Sequence, residues 1–350
     1  MFRQLVLVIL FHLLNACAVA TSSHDQGNVL EDQDQKNHSH DHVLNLTHTD
    51  LQQLESDSKG DMARLENWIK QAESGDAEAH YNLGLYYAEQ GKLQDAELNL
   101  EKAANDGVTA ALYALASLYT DKATLMYDIQ KSYRWALAGA KANDANSMVL
   151  LYQIMPMLQT LEQSSFSNLD WLKRASTLGH PEAQYKLGEL YEVGIEDMPR
   201  NISRARHLYE KSAQQDHAEA QFKLGMMYYH GQVLNPDYSQ AFAYFLKAAK
   251  QNHAAAQYQI GAMYYTGQVS GIADASLPRW YQGYIGRHHL HQHTSVINRN
   301  KMAYLWFGLA NERDHEEAEQ MQLIVAHILD KDQIETLSVL IEGWSALSSK

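Results

Sequence analysis

One motif, written again and again at a near-constant interval, restricts this chain more than any other feature of its sequence. It is clearest from Ala218 to Ala249, AEAQFKLGMMYYHGQVLNPDYSQAFAYFLKAA. Ala220, Leu224, Gly225 and Tyr228 fall on one face of a helix, and Ala241, Tyr244, Phe245, Ala248 and Ala249 on one face of a second. Between them, His230 to Tyr238 is rich in turn-forming residues. Neither helix can bury its stripe alone, so the pair must stack on something built like itself.

The chain supplies the copies. AEAHYNLGLYY starts at Ala77, TAALYALASLY at Thr109, ANSMVLLYQIM at Ala145, PEAQYKLGELY at Pro181 and AAAQYQIGAMYY at Ala254. Counting the copy at Ala218, successive starts are 32, 36, 36, 37 and 36 residues apart. Second-helix copies follow at Ala96–Ala104, Ser132–Ala140, Trp171–Ala175, Ala205–Ala213 and Ala241–Ala249. The exits repeat as well: Gly75-Asp76, Asn143-Asp144, Gly179-His180, Asp216-His217, Asn252-His253 and Asp314-His315. Gly, Asn and Asp suit the left-handed residue that ends a helix. Gly84, Gly188, Gly225 and Gly261 sit inside the first helices, where they predict close helix packing rather than a phosphate loop. The series Tyr87, Tyr119, Tyr191, Tyr228 and Tyr264 recurs with the period and reads as core.

The combined pattern, A-x-A-Q-Y-x-L-G-x-M-Y, a loop, then A-x-x-Y-x-x-K-A-A, resembles the Sel1-like repeat family, α/α solenoids related to tetratricopeptide repeats. The resemblance covers about residues 62–347 and is sharpest from Pro181, Ala218 and Ala254. Ala116 and Tyr152 replace the packing glycine in units two and three, and the first unit has a short loop, Gln90 to Leu93, closer to the tetratricopeptide form. It implies an all-α superhelical solenoid of about six helix-loop-helix units. Its implied work is protein–protein scaffolding, usually without catalysis. By analogy with tetratricopeptide stacks, first helices line the concave side and would present Leu85, Glu189, Glu192, Met226, Tyr229 and Tyr265 to a partner.

Outside the repeats the sequence changes character. Residues 1–20 read as an export signal, with Arg3 ahead of an apolar run, Leu5 to Leu14, too short to span a bilayer. Leu14-Asn15-Ala16-Cys17 resembles a bacterial lipobox, in which Cys17 is lipidated; Ala18-Val19-Ala20 is the alternative, an ordinary cleavage site. The lipobox is favoured because the only cysteine of the chain stands where lipidation requires it, although Asn15 departs from the usual small or aliphatic residue. Ala rather than Asp after Cys17 suggests, by analogy with such lipoproteins, the periplasmic side of the outer membrane; the alternative is a soluble periplasmic protein. Residues 21–58 are polar and read as a disordered tether. Residues 61–74, with Leu65, Trp68, Ile69 and Ala72 as the apolar stripe, read as a half-repeat capping the N-terminal end of the solenoid, residues 61–315.

Two irregularities stand out. Pro156 ends or kinks the first helix of the third unit. The sixth unit is interrupted: its first helix ends near Tyr265 and its second resumes at Lys301, so Asn252 and Asp314 lie 62 residues apart. The insertion, residues 267–299, is aromatic and locally basic, with Trp280, Tyr281, Tyr284, Arg287, His288 and His289 as candidate contacts for a partner. His288, His289, His291 and His293 are too crowded to serve one tetrahedral metal easily, so no metal is assigned. Residues 316–347, with Ile324, Ile328, Ile334, Leu337, Ile341 and Trp344, read as C-terminal capping helices.

A net charge of −14 argues against nucleic acid as a partner. No G-x-S-x-G, H-E-x-x-H, Walker or dinucleotide motif is present, and no nucleophile–base set. The expected function is a non-catalytic adaptor in a bacterial envelope, without cofactor, binding another envelope protein. A structural part of a polysaccharide export apparatus is the alternative. Cell-wall hydrolysis, suggested for cysteine-rich Sel1-like proteins, is disfavoured because the repeats hold no cysteine.

Overall fold

Each repeat becomes a hairpin because its two halves carry their own start and stop signals. The structure is a computed structural model and describes residues 48–158, 167–196, 198–232, 235–269 and 296–348. The chain divides into residues 1–59, of which 48–59 are described and helical, and residues 60–350. Among the described residues fifteen α-helices occur. The N-terminal helix is α1 (His48–Glu73). Six hairpins follow: α2 (Ala77–Glu89) with α3 (Leu93–Asn105), α4 (Thr109–Leu118) with α5 (Ile129–Lys141), α6 (Ala145–Ile154) with α7 (Asn168–Thr177), α8 (Pro181–Val193) with α9 (Ile202–Ala213), α10 (Ala218–His230) with α11 (Tyr238–Lys250), and α12 (Ala254–Thr266) with α13 (Val296–Asn311). Two helices close the stack, α14 (Ala318–Ala326) and α15 (Lys331–Ser348). Each hairpin packs against the one before and the one after, so the fold is an all-α solenoid.

The exit from every hairpin is a single left-handed residue. Gly75, Gly107, Asn143, Gly179, Asp216, Asn252 and Asp314 all have φ between 56° and 95°. The residue after it usually caps the next helix: Asp76 accepts the Ala79 amide at 3.1 Å and Asp144 that of Ser147 at 2.7 Å. The turn inside the hairpin is closed by a tyrosine carbonyl. Tyr119, Tyr191 and Tyr228 each accept the backbone N–H of the residue that caps the second helix, Asp128, Asn201 and Asp237, at 3.0, 2.7 and 2.9 Å. Those three side chains then accept first-turn amides of α5, α9 and α11.

The core is built from knobs seated in missing side chains. The Leu100, Tyr209, Phe245 and Phe307 side chains of the second helices are fully buried. They lie where a Cβ on Gly84, Gly188, Gly225 or Gly261 would stand, at 2.5 to 2.7 Å from that position. Only glycine leaves room for the contact, so the packing expected at these four positions is present. Gly139 and Gly308 do the same in second helices, against Ser147 and Ile341.

A second periodic feature is polar. Gln184, Gln221 and Gln257 are buried inside the stack and donate to the carbonyls of Ser176, Ala213 and Ala249, at 3.5, 3.2 and 3.2 Å. Gln215 and Gln251 from the following turns donate to Gln184 and Gln221. In the last copy Arg313 stands in that place and bonds Asn252 instead, leaving the Gln257 Oε1 without a hydrogen bond. Buried amides are tolerated where their polar atoms are paired.

Several expectations are corrected. Helix α1 begins at His48, so the end of the polar segment, residues 48–58, is helical rather than a disordered tether. Ile69 is exposed on α1, while Leu65, Trp68 and Ala72 pack as expected. Of the tyrosine series only Tyr119 and Tyr264 are buried; Tyr87, Tyr191 and Tyr228, at the same repeat position, are half-buried. Tyr228 stacks on Tyr244, and Tyr191 faces the Arg204 guanidinium. Helix α13 starts at Val296, five residues ahead of Lys301, so 296–299 belong to the hairpin and not to the insertion. At the C-terminal end Leu337 and Ile341 bury and Ile334 packs beside them, but Ile324 and Ile328 are exposed and Val325 takes the inward position. Pro156 does end α6, in a single 3₁₀ turn, Met155–Met157. Residues 1–47, including Cys17, and most of the insertion lie outside the described residues.

The glycine seats make a direct prediction. Gly225→Ala forces Phe245 from its place and should destabilise the protein by about 1–3 kcal/mol. Gly60→Ala, in α1 with nothing near the added carbon, should be neutral or stabilise by roughly 0.5–1 kcal/mol. Chemical denaturation of the two variants checks both; equal stabilities would mean that the seats do not hold the hairpins.

Candidate binding face

The first helices of hairpins four to six carry five of the six residues proposed to meet a partner, and the sixth, Leu85, lies half-buried on α2. Glu189 and Glu192 occupy α8, Met226 and Tyr229 the equivalent positions of α10, and Tyr265 the matching end of α12. The repeat therefore sets these side chains one hairpin apart. Their chemistry grades along the stack, from carboxylates on α8 to aromatic and thioether groups on α10 and α12.

On α8 the two carboxylates are tied into a network. Lys223, reaching from α10, lies 3.3 Å from Glu192 and 3.9 Å from Glu189. Tyr209 donates its hydroxyl to Glu192 at 2.7 Å, and Tyr185 donates to Glu189 at 2.8 Å. Lys186 adds a further bond to Glu189 at 3.2 Å. Burial, together with the adjoining carboxylates, pushes both tyrosine hydroxyls well above their ordinary range, so they remain donors. A half-exposed network like this contributes little to stability. It does hold both carboxylates in place.

On α10 and α12 the face becomes apolar. Met226 and Tyr229 pack at the edge of the C-terminal core, with Tyr229 against Phe245 and Tyr238. The Tyr229 hydroxyl donates to Gln268 at 3.0 Å, which ties the end of α10 to the residues just after α12. Tyr265 keeps 38% of its surface exposed. The structure thus joins Glu189 to Glu192 through Lys223 and sets Met226 beside Tyr229. No contact connects Leu85 with either group among the described residues.

Sequence reasoning overlooked the partners that hold the face in order. Lys223, Tyr185 and Tyr209 are read from periodicity only as helix positions. It also overlooked the histidines at the helix starts. His217 and His253 accept backbone amides through Nδ1 and reach back to Glu182 and Glu219 of the preceding hairpin at 2.7 and 3.0 Å. The bond from His217 holds the Glu182 carboxyl below its ordinary value. Their rings cover the aromatic residue of that hairpin, His217 on Tyr185 and His253 on Phe222. The signal was present in the sequence, because these histidines stand in the repeated exit dipeptides.

The insertion residues Trp280, Tyr281, Tyr284, Arg287, His288 and His289 lie outside the described residues. Among the described residues no group of His, Cys, Asp or Glu side chains is placed to hold a metal ion. Among them, too, no helix is long and apolar enough to cross a membrane.

Comparison with known proteins agrees with the geometry. The Sel1 repeat family model matches residues 77–107, 109–144, 181–217, 218–253 and 254–276. A Sel1 repeat protein from Oxalobacter formigenes has a similar structure at 20% identity, with a TM-score of 0.50, covering 64% of this chain and 99% of that one. A protective antigen of uropathogenic Escherichia coli, described as displaying an SLR fold, aligns at 20% identity and a TM-score of 0.33, over 80% of this chain and 71% of its own. An immunity protein from Pseudomonas aeruginosa aligns at 20% identity and a TM-score of 0.44, over 69% and 82% of the two chains. Comparison with curated proteins finds no match. The five matched repeats coincide with hairpins one, two, four and five and the start of hairpin six, and the chain is a member of the Sel1 repeat family.

Proposed function

We propose that this chain is a non-catalytic adaptor of a bacterial envelope, which binds another envelope protein along the first helices of hairpins four to six. The observation that carries the reading is the graded face itself: Glu189 and Glu192 fixed by Lys223, then Met226, Tyr229 and the exposed Tyr265. Rigid helices present these groups at one-hairpin spacing, so a partner meets an ordered surface and little side-chain entropy is lost on binding. Tyr and Met suit such contacts. Sel1 repeat proteins mediate protein–protein interaction, in keeping with this role. The carboxylates of the face are occupied by lysine and tyrosine partners, an arrangement suited to recognition and not to acid–base chemistry.

The location rests on the N-terminal residues. A lipid on Cys17 would hold the chain to the outer membrane, because acyl chains contribute about 0.8 kcal/mol per buried CH₂. The insertion around Trp280 to His289 is a second contact region for the same partner.

Two outcomes are expected. Tyr265→Ala should weaken retention of the partner from envelope extracts about tenfold while leaving the melting temperature unchanged. A glycan retained in place of a protein would move the chain to a polysaccharide export apparatus. Metabolic labelling with radioactive palmitate should mark the wild-type chain and leave Cys17→Ser unlabelled; an unlabelled wild type would remove the anchor.

A further inference from the structure

Four junctions between successive units begin with a histidine: His180, His217, His253 and His315. In each, Nδ1 accepts a backbone N–H of the turn that follows, from Ala183 at 3.3 Å, Ala220 at 3.3 Å, Ala256 at 3.1 Å and Glu317 at 3.4 Å. A backbone N–H only donates, so Nδ1 must be bare and the neutral ring must carry its proton on Nε2. A second proton can enter only at Nδ1. There it faces another N–H, breaks the bond and, at the three helix caps, places positive charge at the positive end of a helix.

What compensates for that second proton differs from junction to junction: a carboxylate on Nε2–H binds an imidazolium more strongly and offsets the lost bond, which a neutral partner does not. The Nε2 of His217 meets the Glu182 carboxylate and that of His253 the Glu219 carboxylate. The Nε2 of His180 meets only the neutral amide of Asn146, at 3.0 Å. For His315 the equivalent position is Ala255, which has no polar side chain. We infer that the junctions entered by His180 and His315 are acid-sensitive seams, while those entered by His217 and His253 are held shut by their carboxylates.

The surroundings of the two seams agree with this. Burial lowers the proton affinity of His180, against the opposing pull of Glu182 and Asp144, and His217 adds to the lowering. Burial likewise lowers that of His315, stacked on Tyr258 at 4.3 Å, against Glu317, a hydrogen bond with its own backbone, and Glu316, with His253 adding to the lowering. The Tyr258 hydroxyl donates to Glu317 and remains protonated, its pKa pushed up to about 12. A histidine whose folded value lies below its unfolded one binds the proton better when its segment is open. The seams are therefore at full strength above the unfolded value of about 6.5 and weaken as the pH falls below it. Acid would then loosen the start of hairpin four and the start of the closing segment, while the junctions within hairpins four to six keep their strength.

Hydrogen exchange of the full chain at pH 7.5 and pH 5.0, corrected for the intrinsic exchange rate, tests this. Amides just after His180 and His315 should lose protection about fivefold, the effect of one lost hydrogen bond, and those after His217 and His253 should not. His180→Asp, which copies the cap of Asp144, should keep its protection at pH 5.0. Glu182→Gln should make the His217 junction acid-sensitive as well. Equal loss at all four junctions, no loss at His180 and His315, or an unchanged His217 junction in Glu182→Gln would overturn the inference. If either variant fails to fold, the wild-type comparison of the four junctions decides.

Discussion

Four of the six hairpins in this solenoid depend on a carbon that is absent. Glycine on a first helix lets a large side chain of the second helix enter to 2.5–2.7 Å of where a Cβ would be. That approach brings the two helices together and buries Leu100, Tyr209, Phe245 or Phe307 completely. Interiors packed at this density do not yield to even one added methyl group. The hairpin is thus a unit of defined width, and units of equal width can stack in register.

The second constraint lies between hairpins. The histidine starts, the glutamine ladder and the left-handed exits all connect one unit to the next. His217 shows the economy of this. One ring caps α10, bonds Glu182 and covers Tyr185. The face that carries Glu189, Glu192, Met226 and Tyr229 is ordered by the same residues that join the hairpins. Lys223, for example, reaches from α10 to two carboxylates of α8. The candidate face and the assembly of the hairpins therefore share residues.

Much of this was legible in the sequence, and the reasons are physical. Small residues at fixed spacing, a turn-former at each exit and an apolar stripe on each helix are local signals, and the structure has helices, exits and glycine seats where they indicate. The partners of the candidate face were not legible. That Lys223 meets Glu192 or that Tyr209 reaches it depends on how two hairpins are set against each other, which no local pattern states. The helix ends were legible only in part. Ile324, Ile328 and Ile69 carry the right spacing for burial, but at the ends of a stack one side has no neighbour, so periodicity overstates how many of them turn inward. The buried glutamines stand in the motif without a role there, because their partners come from the last turn of the preceding hairpin and from the turn that ends their own.

A tyrosine carbonyl that closes a hairpin loop has a consequence for how such a chain can change. In the units closed by Tyr119, Tyr191 and Tyr228, the loop is fastened at its base, where the second helix begins. Residues added beyond that clasp need not disturb the helices it separates. In the sixth unit Phe307 still fills the space over Gly261 although the two residues lie 46 positions apart, against 20 for Phe245 and Gly225. New sequence can accordingly be grafted at the hairpin mouths without altering the pitch of the helical stack, so an ancestral scaffold can acquire appendages there while its backbone geometry is inherited intact.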